Sequence, residues 1–181
     1  MFLSTAKLLH ARSRSNNLLF QSPSLLWSLP KRNLMLHEYQ AAQLVHKYMI
    51  PIPLGTVAFT AKEAFVVGRK FGPDFKRQFV VKAQVQGFAR TKGVFRENGF
   101  KSGIHMCDSI DQVQEVADKM LGKHLVLPGG HENGLMCNSV LVMEHLEIDK
   151  QYFLAISHDR KTGQPTITYS DVGGLSWQRL Q

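Results

Sequence analysis

One stretch of the chain decides its fold: Phe79-Val80-Val81-Lys82-Ala83-Gln84-Val85, followed directly by Gln86-Gly87-Phe88-Ala89-Arg90-Thr91-Lys92-Gly93-Val94-Phe95. The first part predicts a short apolar strand that carries a lysine, and the second part predicts a basic loop with two glycines. Such a pair is suited to nucleotide phosphates, because Lys82 offers a point charge and a loop of small residues leaves its backbone N–H groups uncovered. The alternative is an edge strand and a solvated basic turn, since one lysine and two glycines are not a specific motif.

Three further segments occur in a fixed order around this stretch. They are Leu36-His37-Glu38-Tyr39-Gln40-Ala41-Ala42, Val140-Leu141-Val142-Met143-Glu144 and Leu146-Glu147-Ile148. Together with Lys92-Gly93-Val94-Phe95, they resemble the successive landmarks of the succinate–CoA ligase β subunits, which have an ATP-grasp nucleotide-binding fold. The resemblance covers roughly residues 36–175. It implies an α/β (α+β) fold over residues 36–181, corresponding to the N-terminal part of an ATP-grasp fold with two small lobes.

The resemblance assigns phosphate contacts to Lys82 and to the basic loop. Members of the family carry a Gly-Gly-Arg-Gly-Lys-Gly type of loop, in which Arg90, Lys92 and Gly93 of this chain match. Three glycines are replaced, by Phe88, Ala89 and Thr91. Because glycine permits positive φ and close backbone approach, each replacement at such a position should cost about 1–3 kcal/mol. The sequence therefore predicts a nucleotide loop that binds weakly.

A second group of residues is expected at the nucleotide base and ribose. The resemblance places Glu144 at the hinge between the two nucleotide-clamping lobes, and it places Leu146 against the base. A strand-end carboxylate in solvent is the alternative for Glu144. Gln151 stands where a ribose-binding glutamate is usual, which would weaken the charge assistance of a hydrogen bond. Pro53 lies where GTP-preferring relatives tend to have glutamine, so ATP or ADP is the predicted ligand.

The family reaction interconverts succinyl-CoA, phosphate and ADP with succinate, CoA and ATP through a phosphohistidine on the partner α subunit. The resemblance implies an α-subunit partner and ATP/ADP with Mg²⁺ as cofactors. The family's Asn and Asp metal ligands lie in the second half of the subunit, so we expect no metal site and no catalytic residue in this chain, and no reaction by this chain alone. Two alternatives remain open. One is a non-catalytic pseudo-subunit that acts through protein interaction. The other is a different ATP-grasp ligase, against which the segment His37-Glu38-Tyr39-Gln40 argues.

The distribution of charge separates the first residues from the rest. The chain of 181 residues has a net charge of +8. Residues 1–37 contain five basic residues and no acid, whereas the rest holds 17 basic and 14 acidic residues, a net +3. Nucleic-acid binding by the folded part is therefore disfavoured. Residues 1–35 have the composition of a mitochondrial transit peptide, which predicts the matrix as location, with a disordered basic tail as the alternative. No stretch approaches the roughly 20 apolar residues of a membrane span, so no membrane partner is expected.

Local patterns predict the elements. Helices are expected over residues 37–49, from Thr60 to Gly72, and from Ser109 to Gly122, the last two beginning with capping boxes. An extended segment is expected over residues 52–59, because Pro51 and Pro53 end the first helix. Strands are expected over residues 78–85, 103–106, 139–145, 151–158 and 165–169, and a surface loop over residues 128–138. The two cysteines, Cys107 and Cys137, lack the spacing of a zinc site or a disulfide framework.

Overall fold

The computed structural model describes residues 35–72, 78–87, 89–159 and 161–173. Three α-helices lie within these ranges: α1 (Glu38–His46), α2 (Ala61–Lys70) and α3 (Ile110–Met120). The strands in the same ranges are β1 (Gly55–Ala58), β2 (Phe79–Ala83), β3 (Val94–Phe95), β4 (Ile104–Cys107), β5 (His124–Val126), β6 (Leu135–Met136), β7 (Val140–Glu144), β8 (Phe153–His158) and β9 (Pro165–Ser170). A short 3-10 helix, Arg90–Lys92, precedes β3. This arrangement confirms the predicted mixed α/β class.

The strands form three antiparallel sheets within the described residues. The largest has the order β1-β7-β2-β4, and the other two have the orders β3-β5-β6 and β8-β9. In the largest sheet, Lys82 of β2 pairs with Leu141 of β7 and Val80 pairs with Met143. Paired residues share a face and successive residues alternate between faces, so Lys82, Leu141 and Met143 lie on the same side of the sheet.

Two helices begin where the sequence predicts, because their first turns are capped. The Thr60 hydroxyl accepts a hydrogen bond from the Glu63 backbone N–H at 3.1 Å, and the Ser109 hydroxyl accepts one from the Gln112 N–H at 3.2 Å. These bonds satisfy backbone donors that lack a partner within the helix. The helix α3 ends at Met120, and Gly122 follows with φ +70°, a conformation that glycine adopts without strain.

The core lies between the largest sheet and the helices α2 and α3. Three fully buried residues recur along α3 at helical spacing: Val113, Ala117 and Met120. They belong to the same buried cluster as Val81 of β2 and Phe95 of β3. The four-stranded and three-stranded sheets therefore share one hydrophobic core, and Lys82 faces away from it.

The first helix, predicted over residues 37–49, does not pack into this core. The helix α1 ends at His46 and contains no buried residue. Leu44, Tyr48 and Met49 are exposed. The helix instead lies on the Lys82 side of the sheet, where Glu38 reaches Lys82.

The segment 128–138 differs in part from the surface loop that the sequence predicts. Its first residues are exposed, but β6 lies within it and Cys137 is fully buried. The Cys137 N–H donates to the Lys123 carbonyl, and the Gly122 N–H donates to the Cys137 carbonyl. These bonds attach the end of the loop to the chain that follows α3. The strands β3, β5 and β6 were all missed, because runs of two or three residues carry no periodic signal.

The hairpin of β8 and β9 has one exposed apolar face. Leu154 pairs with Tyr169 and Ile156 pairs with Ile167, and all four side chains are exposed. The opposite face carries mostly serine and threonine side chains. None of its residues belongs to the buried core cluster of the described chain. A two-stranded sheet of this kind is marginally stable on its own, so this apolar face is a place where further surface can be buried.

Two predictions concern other parts of the chain. The predicted transit peptide, residues 1–35, falls almost entirely outside the described residues. In the part of the chain that the structure describes, no helix combines the length and the apolar character needed to cross a membrane.

Candidate functional site

The side chain of Lys82 is central to the candidate site. It projects from β2 on the sheet face opposite α2 and α3, and 21% of its side chain is exposed. Its Nζ donates a hydrogen bond to Glu38 Oε1 at 2.8 Å. Most of the lysine side chain is therefore buried, and a carboxylate from α1 pairs with its ammonium group.

Glu38 also binds Arg90, the second residue predicted to contact phosphate. Arg90 Nη2 donates to Glu38 Oε2 at 2.7 Å, and Arg90 Nη1 donates to the Ala83 carbonyl at 2.8 Å. Each oxygen of one carboxylate thus accepts from one cation. Burial raises the pKa of Glu38, but the hydrogen bonds and charges of Lys82 and Arg90 outweigh it and hold the pKa below its ordinary value. The cluster of Lys82, Glu38 and Arg90 is therefore charged throughout, with a net charge of +1.

A cavity of about 260 Å³ opens beside this cluster. Lys82 and Glu38 line it, and its apolar walls come from Ile52, Pro53, Val57, Leu141 and Met143. A concave site with apolar walls and a few convergent polar groups is the usual form of a small-molecule site. Two of the predicted site residues, Pro53 and Lys82, thus line one cavity. Arg90 lies near Lys82 because Glu38 forms an ion pair with both.

The basic loop adopts a different arrangement from a glycine-rich phosphate loop. Ala89 is left-handed, with φ +58° and ψ +37°, a conformation that costs a residue with a Cβ about 1–2 kcal/mol. The strain predicted from the lost glycines is therefore observed at Ala89. Thr91 lies inside the 3-10 helix and Phe88 falls outside the described residues.

The remaining loop residues serve packing or face solvent. Gly93 is buried, and a Cβ added there would lie 2.7 Å from Leu125 Cδ1. Its small size is therefore required by the core beneath the loop. Lys92 is exposed, and neither residue is among the described residues that line the cavity.

The predicted base-contacting residues lie apart from the cavity. Glu144 pairs with Phe79, so its side chain shares the sheet face opposite that of Lys82. Its Oε1 accepts from the Leu54 N–H at 2.8 Å, and its own N–H donates to the Leu54 carbonyl at 2.9 Å. Glu144 thus holds the segment after Pro53 against β7. Leu146 follows the end of β7 and is exposed.

Two residues of the site were not predicted. Glu38 belongs to a landmark segment of the sequence, but no local signal indicates that it pairs with Lys82. Gln84 is a polar residue of the apolar stretch 79–85, and it is only 2% exposed. Its amide donates to the Lys82 carbonyl at 3.1 Å and accepts from the Tyr39 N–H at 3.3 Å. A glutamine within an apolar strand was the available signal, because a buried amide needs partners.

The described residues of the cavity do not fit a magnesium ion. Glu38 is the one acid among them, and both of its oxygens accept from cations. Across the described ranges, no group of three or more His, Cys, Asp or Glu side chains is placed to hold a metal.

Comparison with known families gives a match over most of the chain. A family model described as an ATP-grasp domain matches residues 35–179. This chain belongs to the ATP-grasp family. The ATP-grasp domain implies nucleotide binding in this family.

Individual relatives are similar to a defined part of this ATP-grasp chain. The mitochondrial GDP-forming succinate–CoA ligase β subunit of Dictyostelium discoideum is 37% identical over 144 residues, which cover 80% of this chain and 33% of that protein. The ADP-forming β subunit of Novosphingobium aromaticivorans is 38% identical over 147 residues, covering 80% and 36%. The mitochondrial ADP-forming β subunit of Saccharomyces cerevisiae is 36% identical over 150 residues, covering 83% and 34%.

These similarities confirm the resemblance to succinate–CoA ligase β subunits. The ATP-grasp chain spans about a third of the length of the curated relatives it matches. The relatives include both ADP-forming and GDP-forming proteins, and both mitochondrial and bacterial ones.

Proposed function

We propose that this chain is the nucleotide-binding portion of a succinate–CoA ligase β-type subunit. The observation that carries the proposal is the convergence of Lys82 and Arg90 beside an apolar-walled cavity, in a chain 36–39% identical to such subunits. Two cations held in one place suit a polyphosphate, and apolar walls suit the flat face of a base. ATP or ADP is the proposed nucleotide.

The proposed reaction is the interconversion of succinyl-CoA, phosphate and ADP with succinate, CoA and ATP. This chain would supply nucleotide binding, and a succinate–CoA ligase α subunit would supply the phosphorylated histidine. Magnesium would enter with the nucleotide, because the described cavity residues do not form a metal site. We therefore expect the chain alone to bind nucleotide without catalysing the full reaction.

The mitochondrial matrix is the proposed location. It is supported by residues 1–35, which are basic and lack acids, and by the mitochondrial relatives from Dictyostelium and yeast. Expression of the full chain with a C-terminal fluorescent tag tests the proposal, with a variant that replaces Arg12 and Arg14 by Glu as the control. Matrix fluorescence that the control loses would support the location, and cytosolic fluorescence of the unaltered chain would contradict it.

Thermal unfolding of the full chain tests nucleotide binding. A ligand present at 100 times its dissociation constant should stabilise the folded chain by about 2.7 kcal/mol. We expect millimolar Mg-ATP to raise the unfolding midpoint more than Mg-GTP, and we expect Lys82→Ala to abolish the rise. Lys62→Ala is the matched control, because Lys62 is an exposed lysine on α2, away from the cavity.

A non-catalytic pseudo-subunit is the second candidate function. It is favoured by the left-handed Ala89, which stands where the family has glycine, and by the uncovered apolar face of the β8–β9 hairpin. Such a protein would bind a partner through the hairpin. A folded chain whose midpoint is unchanged by either nucleotide would contradict the nucleotide proposal and leave this candidate as the better account.

A further inference from the structure

Glu38 forms ion pairs with both Lys82 and Arg90, the two cations that bind phosphate in the proposed function. Its oxygens lie 2.8 Å from Lys82 Nζ and 2.7 Å from Arg90 Nη2. These are the distances of charge-assisted hydrogen bonds, and phosphate oxygens would take the same distances from the same donors. One carboxylate therefore stands where an anionic ligand would be bound.

We propose that Glu38 is a built-in counter-anion of the cavity, which the phosphates of a nucleoside triphosphate displace from Lys82 and Arg90. The inference rests on the proposed nucleotide function and adds a residue that sets affinity for the anionic part of the ligand. Nucleotide binding then exchanges one anion for another. The loss of the two Glu38 ion pairs offsets part of the attraction between the phosphates and the cations.

Displacement follows from the distances between like charges. A phosphate oxygen bound to Lys82 Nζ would lie within about 5 Å of a Glu38 oxygen bound to the same nitrogen. Glu38 is charged at neutral pH, since even the ordinary pKa of glutamate is 4.5 and that of Glu38 is lower. A charged carboxylate that stayed in place would therefore repel the incoming phosphate.

The attachment of α1 allows Glu38 to leave while the cations remain. The helix buries no residue in the core. Besides the two Glu38 contacts, the hydrogen bond from the Tyr39 N–H to Gln84 Oε1 at 3.3 Å attaches it to the residue directly after β2, and it also contacts β1. Arg90, in contrast, keeps its bond to the Ala83 carbonyl at 2.8 Å, and Lys82 belongs to a central strand. Release of Glu38 thus requires a shift of a surface helix and no change in the sheet.

Calorimetric titration of the full chain with three probes tests the proposal. The probes are Mg-ATP, inorganic tripolyphosphate and adenosine, and the proteins are the unaltered chain, Glu38→Gln, Lys82→Ala and Glu115→Gln. We expect Glu38→Gln to tighten Mg-ATP and tripolyphosphate binding about fivefold or more, since no carboxylate then competes with the phosphates for the two cations. Adenosine binding should not change. Glu115 is the matched control, an exposed acid that pairs with Lys119 on α3.

The possible outcomes separate this inference from the proposed function. If the unaltered chain binds Mg-ATP through Lys82 but Glu38→Gln binds equally or more weakly, Glu38 orients the lysine and the counter-anion role is wrong. If only Glu38→Gln binds, the role is supported. If no protein binds any phosphate probe, the proposed function fails and the inference fails with it.

A measurement on the unaltered chain decides the matter if Glu38→Gln does not fold. Amide hydrogen exchange over residues 38–46 should become faster when tripolyphosphate binds, because the helix loses two of its attachments. Slower or unchanged exchange in the bound protein would overturn the proposal.

Discussion

Lys82 and Glu38 are 44 positions apart in the sequence and form an ion pair of 2.8 Å beside the cavity. The pair links a central strand to a surface helix that otherwise buries nothing in the core. Because most of the lysine side chain is buried, an anion close by stabilises its ammonium group. In the structure that anion is Glu38, and in the proposed function it is a phosphate.

The first prediction concerns pH. The pKa of Glu38 is lowered from its ordinary value of 4.5, so the folded chain binds this proton more weakly than the unfolded chain. The pair therefore stabilises the fold above pH 4.5, and this stabilisation is lost as the pH falls through the lowered value. We expect Glu38→Gln to reduce the loss of stability as the pH falls below the ordinary glutamate pKa of 4.5, measured by urea unfolding at each pH.

Glu97 provides the comparison for that experiment. It accepts hydrogen bonds from the His124 N–H and from His124 Nδ1, which lower the pKa of Glu97 to about 2. Its contribution has the same sign and persists to lower pH. Glu97→Gln should therefore leave the Glu38 part of the pH dependence intact. An identical pH dependence in Glu38→Gln and the unaltered chain would contradict the assigned pKa.

The second prediction concerns strain in the basic loop. Ala89 has φ +58°, a conformation that brings the alanine Cβ close to the following carbonyl oxygen. Glycine has no Cβ and would adopt this conformation without that contact. Ala89→Gly should raise the free energy of unfolding by about 1 kcal/mol, measured by urea denaturation. Ala117→Gly, inside α3, should lower it, since glycine is unfavourable within a helix. Destabilisation by both substitutions would show that Ala89 is not strained.

The third prediction concerns the two cysteines. Both are almost completely buried, and burial raises the pKa of each thiol to about 11. A buried thiol in its protonated form is a poor nucleophile. Iodoacetamide at about pH 8 should therefore leave both unmodified in the folded chain, whereas urea-unfolded protein should react at both, as counted by intact mass. Rapid labelling of the folded chain would contradict the burial of Cys137 or Cys107.

The fourth prediction concerns the apolar face of the hairpin. Ile156 and Ile167 are paired and exposed. Replacing both by threonine keeps the β-branch and removes apolar surface, so we expect a change of less than about 0.5 kcal/mol in stability and a higher soluble concentration. Val142→Thr in the core should lower stability by about 1–3 kcal/mol, because it buries a hydroxyl. A large loss in the hairpin variant would mean that other residues cover this face.

Signals that lie within a few residues of one another were readable from the sequence. Thr60 and Ser109 begin helices because their hydroxyls cap backbone groups three positions away, and the stripe along α3 repeats at the helical period. Long apolar runs predicted β2 and β7 for the same reason. The similarity to succinate–CoA ligase β subunits also lies in contiguous segments, so the family resemblance could be recognised from the sequence alone.

Only the tertiary structure decided which residues meet at the site. The order β1-β7-β2-β4 puts Glu144 on the opposite face from Lys82, and the path of α1 puts Glu38 against Lys82 and Arg90. Neither follows from spacing, because side-chain periodicity is local whereas strand order and register depend on the whole chain. The sequence predicted a nucleotide role for the lysine and the loop, and the fold determined that an acid of the same chain holds both cations.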